Sequence, residues 1–210
     1  YPLLKTTQMS FQDILPGQVQ NVGWKNYQRL FGDKTFGQAV FNSTRYMVIT
    51  CALLIPFPLL FAYMISSRSM KYDNVFKSIY FVPVLSSVVV AGIIFRMMFS
   101  ELPGALMNSI IALFGLTPIY WLKQEYTSLL ALVLLCSWRW TGMNMLYYLA
   151  GIKSIPNEMY EAADIDGASS YQKFAYVAWP LLKPTTIYVL TISIYAGLAM
   201  FTESYMVFGN

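Results

Sequence analysis

The sequence contains no histidine, and only 11% of its 210 residues are charged. Without histidine, Ser-His-Asp triads and most zinc centres are excluded. The shortage of charge excludes an ordinary soluble domain, in which roughly 25% of residues are charged. Hydrophobic residues make up 57%, and soluble monomers rarely leave large apolar patches open to water. The two cysteines, Cys51 and Cys136, both fall in apolar stretches and read as packing residues rather than a disulfide or redox pair. The basic excess is a net +4 of scattered residues, which excludes a nucleic-acid partner. No Gly-x-x-x-x-Gly-Lys-Ser/Thr phosphate cradle occurs, since Gly104 and Gly115 lack the lysine that register requires. The chain is therefore not expected to bind ATP through a P-loop, and neither a catalytic residue nor a metal ligand set is expected.

What the sequence does have is long apolar runs. No charge interrupts Tyr46 to Ser67, Ser78 to Phe95 or Pro184 to Thr202, and only Arg139 interrupts Tyr126 to Ile152. About 20 apolar residues in a helix cross the hydrocarbon core. The runs predict four spanning helices, over about 43–66, 76–99, 127–150 and 184–206. Pro56 and Pro58 predict a kink in the first. The residues before it, 8–38, are polar and mixed, with a short interfacial helix expected over Trp24 to Leu30. Arg68, Lys71 and Lys77 against Asp73 give the clearest positive-inside signal, so Ser66 to Lys77 is placed in the cytoplasm. It follows that 100–126 is an outer connection, partly amphipathic through Leu106, Ile110 and Leu113, and that 151–183 is cytoplasmic. The fold class is an all-α, polytopic helical bundle forming a single membrane domain over 1–210. Tyr1 without an initiator methionine, and Gly209-Asn210 just beyond a span, read as a fragment lacking helices at one or both ends.

One segment between spans carries most of the acidic charge: Glu158, Glu161, Asp164 and Asp166. Its local chemistry predicts two short helices joined by a tight turn. Pro156 suits a first helical turn, with Ser154 as its cap. Gly167 suits the left-handed residue that ends a helix. Ser169 and Gln172 have capping-box spacing, and Pro180 ends the second helix. Ala162 and Ala163 leave a low surface that another protein can approach.

The pattern Glu161-Ala162-Ala163, then Gly167, Phe174 and Pro180, resembles the coupling loop of ABC-importer permeases, the membrane subunits of binding-protein-dependent uptake systems. The resemblance covers roughly 20–208. It includes Asn26-Tyr27, Phe81-x-Pro83, Trp138 with Gly142, Asn144 and Met145, Ser154-Ile155-Pro156, Ile165-Asp166-Gly167-Ala168 and Pro180-Leu181-Leu182-Lys183-Pro184, and it is similar to the carbohydrate-uptake branch. Ala178-Trp179 departs from the family pattern. The resemblance implies that 154–180 docks on a separate ATPase, which holds the ATP and magnesium, through Tyr160, Glu161, Ala162, Ala163, Asp166, Gly167, Ala168 and Phe174. It further implies a second, similar permease subunit, an extracytoplasmic solute-binding protein, and residence in a bacterial or archaeal plasma membrane. The alternative for the segment is a well-capped, solvated connector.

Polar groups inside spans are costly and are pathway candidates. Arg139 lies mid-span between Trp138 and Trp140. The resemblance implies a sugar path near here with contributions from Val84, Ser193 and Gly197, and Asn144 and Glu203 join the candidates. Other readings remain open. Arg139 could pair with an acid on a partner subunit. Trp138 and Trp140 could pack or face lipid. Asn144 could bridge helices, and Ser193 with Gly197 could be a small-residue packing pair. Arg96 reads as snorkelling to headgroups. The function that results is translocation of a sugar or oligosaccharide by alternating access. A glycerol phosphate, polyamine or other small-solute permease is the alternative. An ion channel would show repeated pore motifs or charged rings, and neither is present.

Overall fold

The computed structural model describes residues 1–67 and 73–209. Of the basic loop expected over Ser66 to Lys77, residues 68–72 lie outside them, while Ser66, Ser67 and Asp73 to Lys77 belong to the flanking helices. The chain divides into two units, Tyr1–Arg45 and Tyr46–Asn210.

In the first unit, α1 (Pro2–Ser10) leads into a hairpin of β1 (Gln12–Leu15) and β2 (Gln18–Asn21), followed by α2 (Lys25–Gly32). The strands pair antiparallel from Gln12 with Asn21 to Leu15 with Gln18. Pro16 fixes the turn and Gly17, at φ +82, completes it. This hairpin is a small addition to an otherwise helical fold, and Pro16-Gly17 is itself a turn signal. The expected helix after Trp24 is α2. Asn26 and Tyr27 tie it to the hairpin: the Asn26 amide donates to the carbonyls of Ser10 (3.0 Å) and Gln12 (3.1 Å). The Tyr27 hydroxyl lies 2.7 Å from that of Ser10. The rings of Phe11, Trp24 and Tyr27 cluster alongside, with centroids 5.3–5.4 Å apart.

The remaining elements are helical. They are α3 (Lys34–Leu54), α4 (Pro56–Ser67), α5 (Asp73–Leu85), α6 (Val88–Met98), α7 (Leu106–Ala112), α8 (Glu125–Lys153), α9 (Asn157–Ile165), α10 (Ser170–Gln172), α11 (Trp179–Leu181), α12 (Lys183–Leu198) and α13 (Thr202–Phe208). A π-helical stretch, Lys173–Ala178, joins α10 to α11. The long helix α8 is the axis on which α4, α5, α6, α12 and α13 pack. Around one half of α8, Leu59, Ala62, Met145, Tyr148, Leu149 and Leu182 are buried together. Around the other half, Tyr46, Phe95, Phe99, Trp121, Leu132 and Leu135 form a second buried cluster. At Gly142, the backbone carbonyl of Tyr80 on α5 occupies the place a Cβ would take. A residue without a side chain is what allows α5 and α8 to cross so closely.

Two of the four expected spans run as predicted. The first extends over Lys34–Ser66 with its break at Ile55, before Pro56, and the third is Glu125–Lys153. The other two are interrupted, which corrects the expectation of continuous helices. The span expected over 76–99 is the pair Val75–Leu85 and Val88–Met98, bent by 95°. Pro83 sits inside α5, and the Ser86 hydroxyl donates to the Pro83 carbonyl at 2.6 Å, satisfying a group that the bend releases. The span expected over 184–206 stops at Leu198 and resumes as α13 after Ala199–Phe201. No proline announces that break. Between α6 and α8, Asn108 is fully buried and anchors the connection. Its amide donates to the carbonyls of Ser100, Leu102 and Ile119, while its oxygen accepts from Ile119 N–H (3.0 Å) and Trp121 Nε1 (2.8 Å).

Candidate functional site

The segment singled out by its acids forms the expected helix–turn–helix. Helix α9 ends in a Schellman motif: Gly167 at φ +73 allows Ala168 N–H to reach the Ala163 carbonyl (2.9 Å) and Gly167 N–H to reach that of Asp164 (3.0 Å). The capping box is complete. Gln172 N–H donates to Ser169 Oγ (3.3 Å), and Ser169 N–H donates to Gln172 Oε1 (2.8 Å). Lys173 Nζ and Asp164 Oδ1 pair across the turn at 2.5 Å.

Two details differ from expectation. Ser154 does not cap α9, whose N-cap is Pro156 without a side-chain bond. Its hydroxyl instead donates back to Gly151 at 2.7 Å and closes α8. Pro180 does not end the second helix, which runs to Leu181. Because Pro180 has no N–H and its ring crowds the turn before it, the preceding residues widen into π geometry and the helix continues.

The eight residues expected to dock a partner divide by exposure. Glu161, Ala162, Asp166 and Gly167 face outward. Ala163, Ala168, Asp166 and Gly167 line a recess of about 350 Å³ with Gln172 and Tyr176. Tyr160 and Phe174 turn inward against the buried cluster around Tyr148 and Leu182. Burial raises the Tyr160 phenol above its ordinary range, with the neighbouring Tyr63 adding to the effect. Sequence reasoning missed Tyr63. From α4 its hydroxyl donates to the Ser170 carbonyl at 3.0 Å, and its ring lies 4.8 Å from that of Phe174. The separation of 107 residues leaves no local signal that would have found it.

The intramembrane candidates also divide. Trp140, Asn144, Ser193, Gly197 and Glu203 line one cavity of about 70 Å³ with Tyr46 and other residues. That is room for a few waters and not for a sugar ring. Asn144 is the helix bridge among the alternatives: its amide donates to the Leu54 carbonyl at 3.0 Å. Four residues after Leu54 stands Pro58, which has no N–H to offer, so Asn144 supplies the missing donor. Arg139 is buried, and its acid lies in this same chain: NH1 meets Glu203 Oε1 at 3.3 Å. NH2 donates to the Ser86 carbonyl at 3.3 Å, and the guanidinium lies 5.6 Å from the Trp140 ring. Nε has no partner. Trp138, two positions from Trp140 and so on another helix face, is half exposed and packs on Phe95 at 5.7 Å. Val84 and Trp138 lie outside the cavity lining. Arg96 is exposed with its guanidinium against Gly209. Both cysteines are free.

Apolar helices packed around one long helix, with a capped helix–turn–helix between α8 and α12, agree with the permease bundle and loop that the motif resemblance implies. Residues 41–210 match the binding-protein-dependent transport system inner membrane component family. The chain belongs to this family. It is accordingly a multi-pass membrane protein and a transport permease. Among its relatives, the arabinooligosaccharides transport system permease protein AraP of Bacillus subtilis is 49% identical over 100% of this chain and 67% of its own length. The lactose transport system permease protein LacF of Rhizobium radiobacter is 33% identical over 98% of this chain and 69% of its own length. A solved bacterial ABC transporter that imports the acidic polysaccharide alginate shares the fold with a TM-score of 0.83 at 25% identity, over 95% of this chain and 68% of that one. The chain spans about two thirds of the length of these family members.

Proposed function

We propose that the chain is the permease subunit of an ATP-driven importer that carries a sugar or oligosaccharide across a bacterial or archaeal plasma membrane by alternating access. The observation that carries this reading is the loop Asn157–Ala178. It is folded by its own caps, shows Glu161 and Ala162 to solvent, and is rooted in the bundle through Tyr160 and Phe174. A transporter without a phosphate cradle needs a surface to receive force, and this loop is that surface. ATP and magnesium belong to a separate ATPase pair. A second, similar permease subunit completes the pathway, and an extracytoplasmic binding protein delivers the solute. A solved alginate importer in complex with an alginate pentasaccharide-bound periplasmic protein, 25% identical over 99% of this chain with a TM-score of 0.82, supports the last partner.

The names of the relatives favour a glycan. The test is ATP hydrolysis by the complex of full-length permease pair, ATPase and binding protein, across a panel of sugars. Stimulation by arabinooligosaccharides or lactose supports the reading. Stimulation by glycerol phosphate or polyamines alone contradicts it.

A further inference from the structure

The loop Asn157–Ala178 is covalently joined to only two spanning helices, α8 before it and α12 after it. Helix α4, which ends the first span, meets it only through space. Tyr63 supplies a hydrogen bond and a ring contact to that meeting. Tyr63 stands near the end of α4, donates its hydroxyl to the Ser170 carbonyl at 3.0 Å, and tilts its ring over Phe174 at 4.8 Å. Ser170 is the first residue after the Ser169 cap, and Phe174 lies within the π-helical stretch. Tyr63 therefore grips the loop's second helix just where its start is fixed by the capping box. Ala62 and Ile65, on either side, are buried with Ala178 and Leu182, so the grip is backed by packing. Beside it, the Tyr160 hydroxyl is buried without a partner among the described residues. Such groups are rare because they are costly, and this face has a hydrogen bond to gain when the loop shifts.

We propose that Tyr63 is the positioning residue through which displacement of the loop reaches the first spanning helix. The proposal rests on the loop being the ATPase-docking segment. The tyrosine acts through Phe174 and Ser170 and touches neither solute nor nucleotide. When the loop is driven, the hydroxyl bond and the ring contact oblige α4 to follow. Helix α4 continues α3 across Ile55 as one span, Lys34–Ser66, so a displacement of α4 is passed to the first span.

The experiment uses the reconstituted importer with full-length permease, its partner permease, ATPase and binding protein, and a labelled arabinooligosaccharide as probe. Three quantities are read: ATPase co-purification, ATP hydrolysis, and sugar moved per ATP. Tyr63→Ala is expected to keep its ATPase but move about tenfold less sugar per ATP, the combined loss of a hydrogen bond and an aromatic contact. Tyr63→Phe keeps the ring and is expected to lose about fivefold, the worth of a neutral hydrogen bond of about 1 kcal/mol. A wild-type sugar-to-ATP ratio in Tyr63→Ala overturns the proposal. So does a loss of bound ATPase in Tyr63→Phe, which would make the tyrosine a folding contact alone. Failure of the docking reading is separately visible, because Glu161→Lys would then keep its ATPase and full uptake whatever Tyr63→Ala does.

Discussion

Arg139 on α8 and Glu203 in the first turn of α13 meet at 3.3 Å across 64 residues of chain. The same guanidinium donates to the Ser86 carbonyl between α5 and α6. One side chain thus fastens the breaks of two interrupted helices. Irregular backbone at membrane depth is tolerated where protein groups satisfy it, and Arg139 does so for the Ser86 carbonyl.

This arrangement predicts strong coupling between the pair. Arg139→Ala leaves a carboxylate inside the bundle without its cation, and Glu203→Ala leaves the converse. Each is expected to destabilise the purified permease by about 3 kcal/mol, the lower end for a broken buried pair. The double variant should cost clearly less than the sum of the two. Thermal unfolding of the four proteins measures this, and strict additivity contradicts it.

Asn144 gives a second prediction, with a built-in rescue. Asn144→Leu removes the donor to the Leu54 carbonyl and is expected to cost about 1–3 kcal/mol for a buried acceptor left unpaired. Pro58→Ala restores a backbone N–H four residues after Leu54. In the Asn144→Leu background it should therefore return part of the lost stability, whereas alone it should not stabilise. Thermal melting of the single and double variants is the measurement.

Gly142 provides the packing test. Any Cβ there meets the backbone of Tyr80, while at Gly37 a Cβ meets nothing within 4 Å. Gly142→Ala is expected to force α5 and α8 apart and to cost at least the ~1–3 kcal/mol of an overpacked core. Gly37→Ala should fold as the wild type does. Size-exclusion profiles of the solubilised variants separate the two outcomes.

The sequence made these features legible to different degrees, for physical reasons. Glu161, Gly167, Ser169 and Gln172 act over a few residues, so spacing alone revealed the turn and the capping box. Prolines 56 and 58 marked the break at Ile55 by removing donors. The break after Leu198 has no proline, and the bend between Leu85 and Val88 depends on the hydroxyl of Ser86 and on Arg139, which comes 53 residues later. The hairpin has the turn signal Pro16-Gly17, but its strands are four residues each and mostly exposed, so no apolar alternation marks them. Arg139 was recognisable as costly, but its partner Glu203 became evident only when α13 folded back on α6 and α8. Tyr63 carried no local signal at all, since its partners Ser170 and Phe174 are brought to it by α8.

The loop's internal order yields a fourth prediction. Ser169→Ala removes the acceptor for Gln172 N–H and is expected to cost the start of the second helix about 1 kcal/mol. Amide hydrogen exchange at Gln172 and Lys173 should accelerate several-fold, while amides in the centre of α8 keep their protection. Unchanged exchange at Gln172 would mean that the cap contributes nothing.

The central claim is that Asn157–Ala178 receives force from a separate ATPase. Its most direct test is uptake by the reconstituted importer carrying Glu161→Lys, with ATPase co-purification read on the same preparation. The variant changes an exposed side chain and leaves the spans intact, so the permease should insert as the wild type does. Loss of bound ATPase together with collapse of ATP-driven uptake is the predicted result. Full ATPase retention with wild-type uptake would contradict the account.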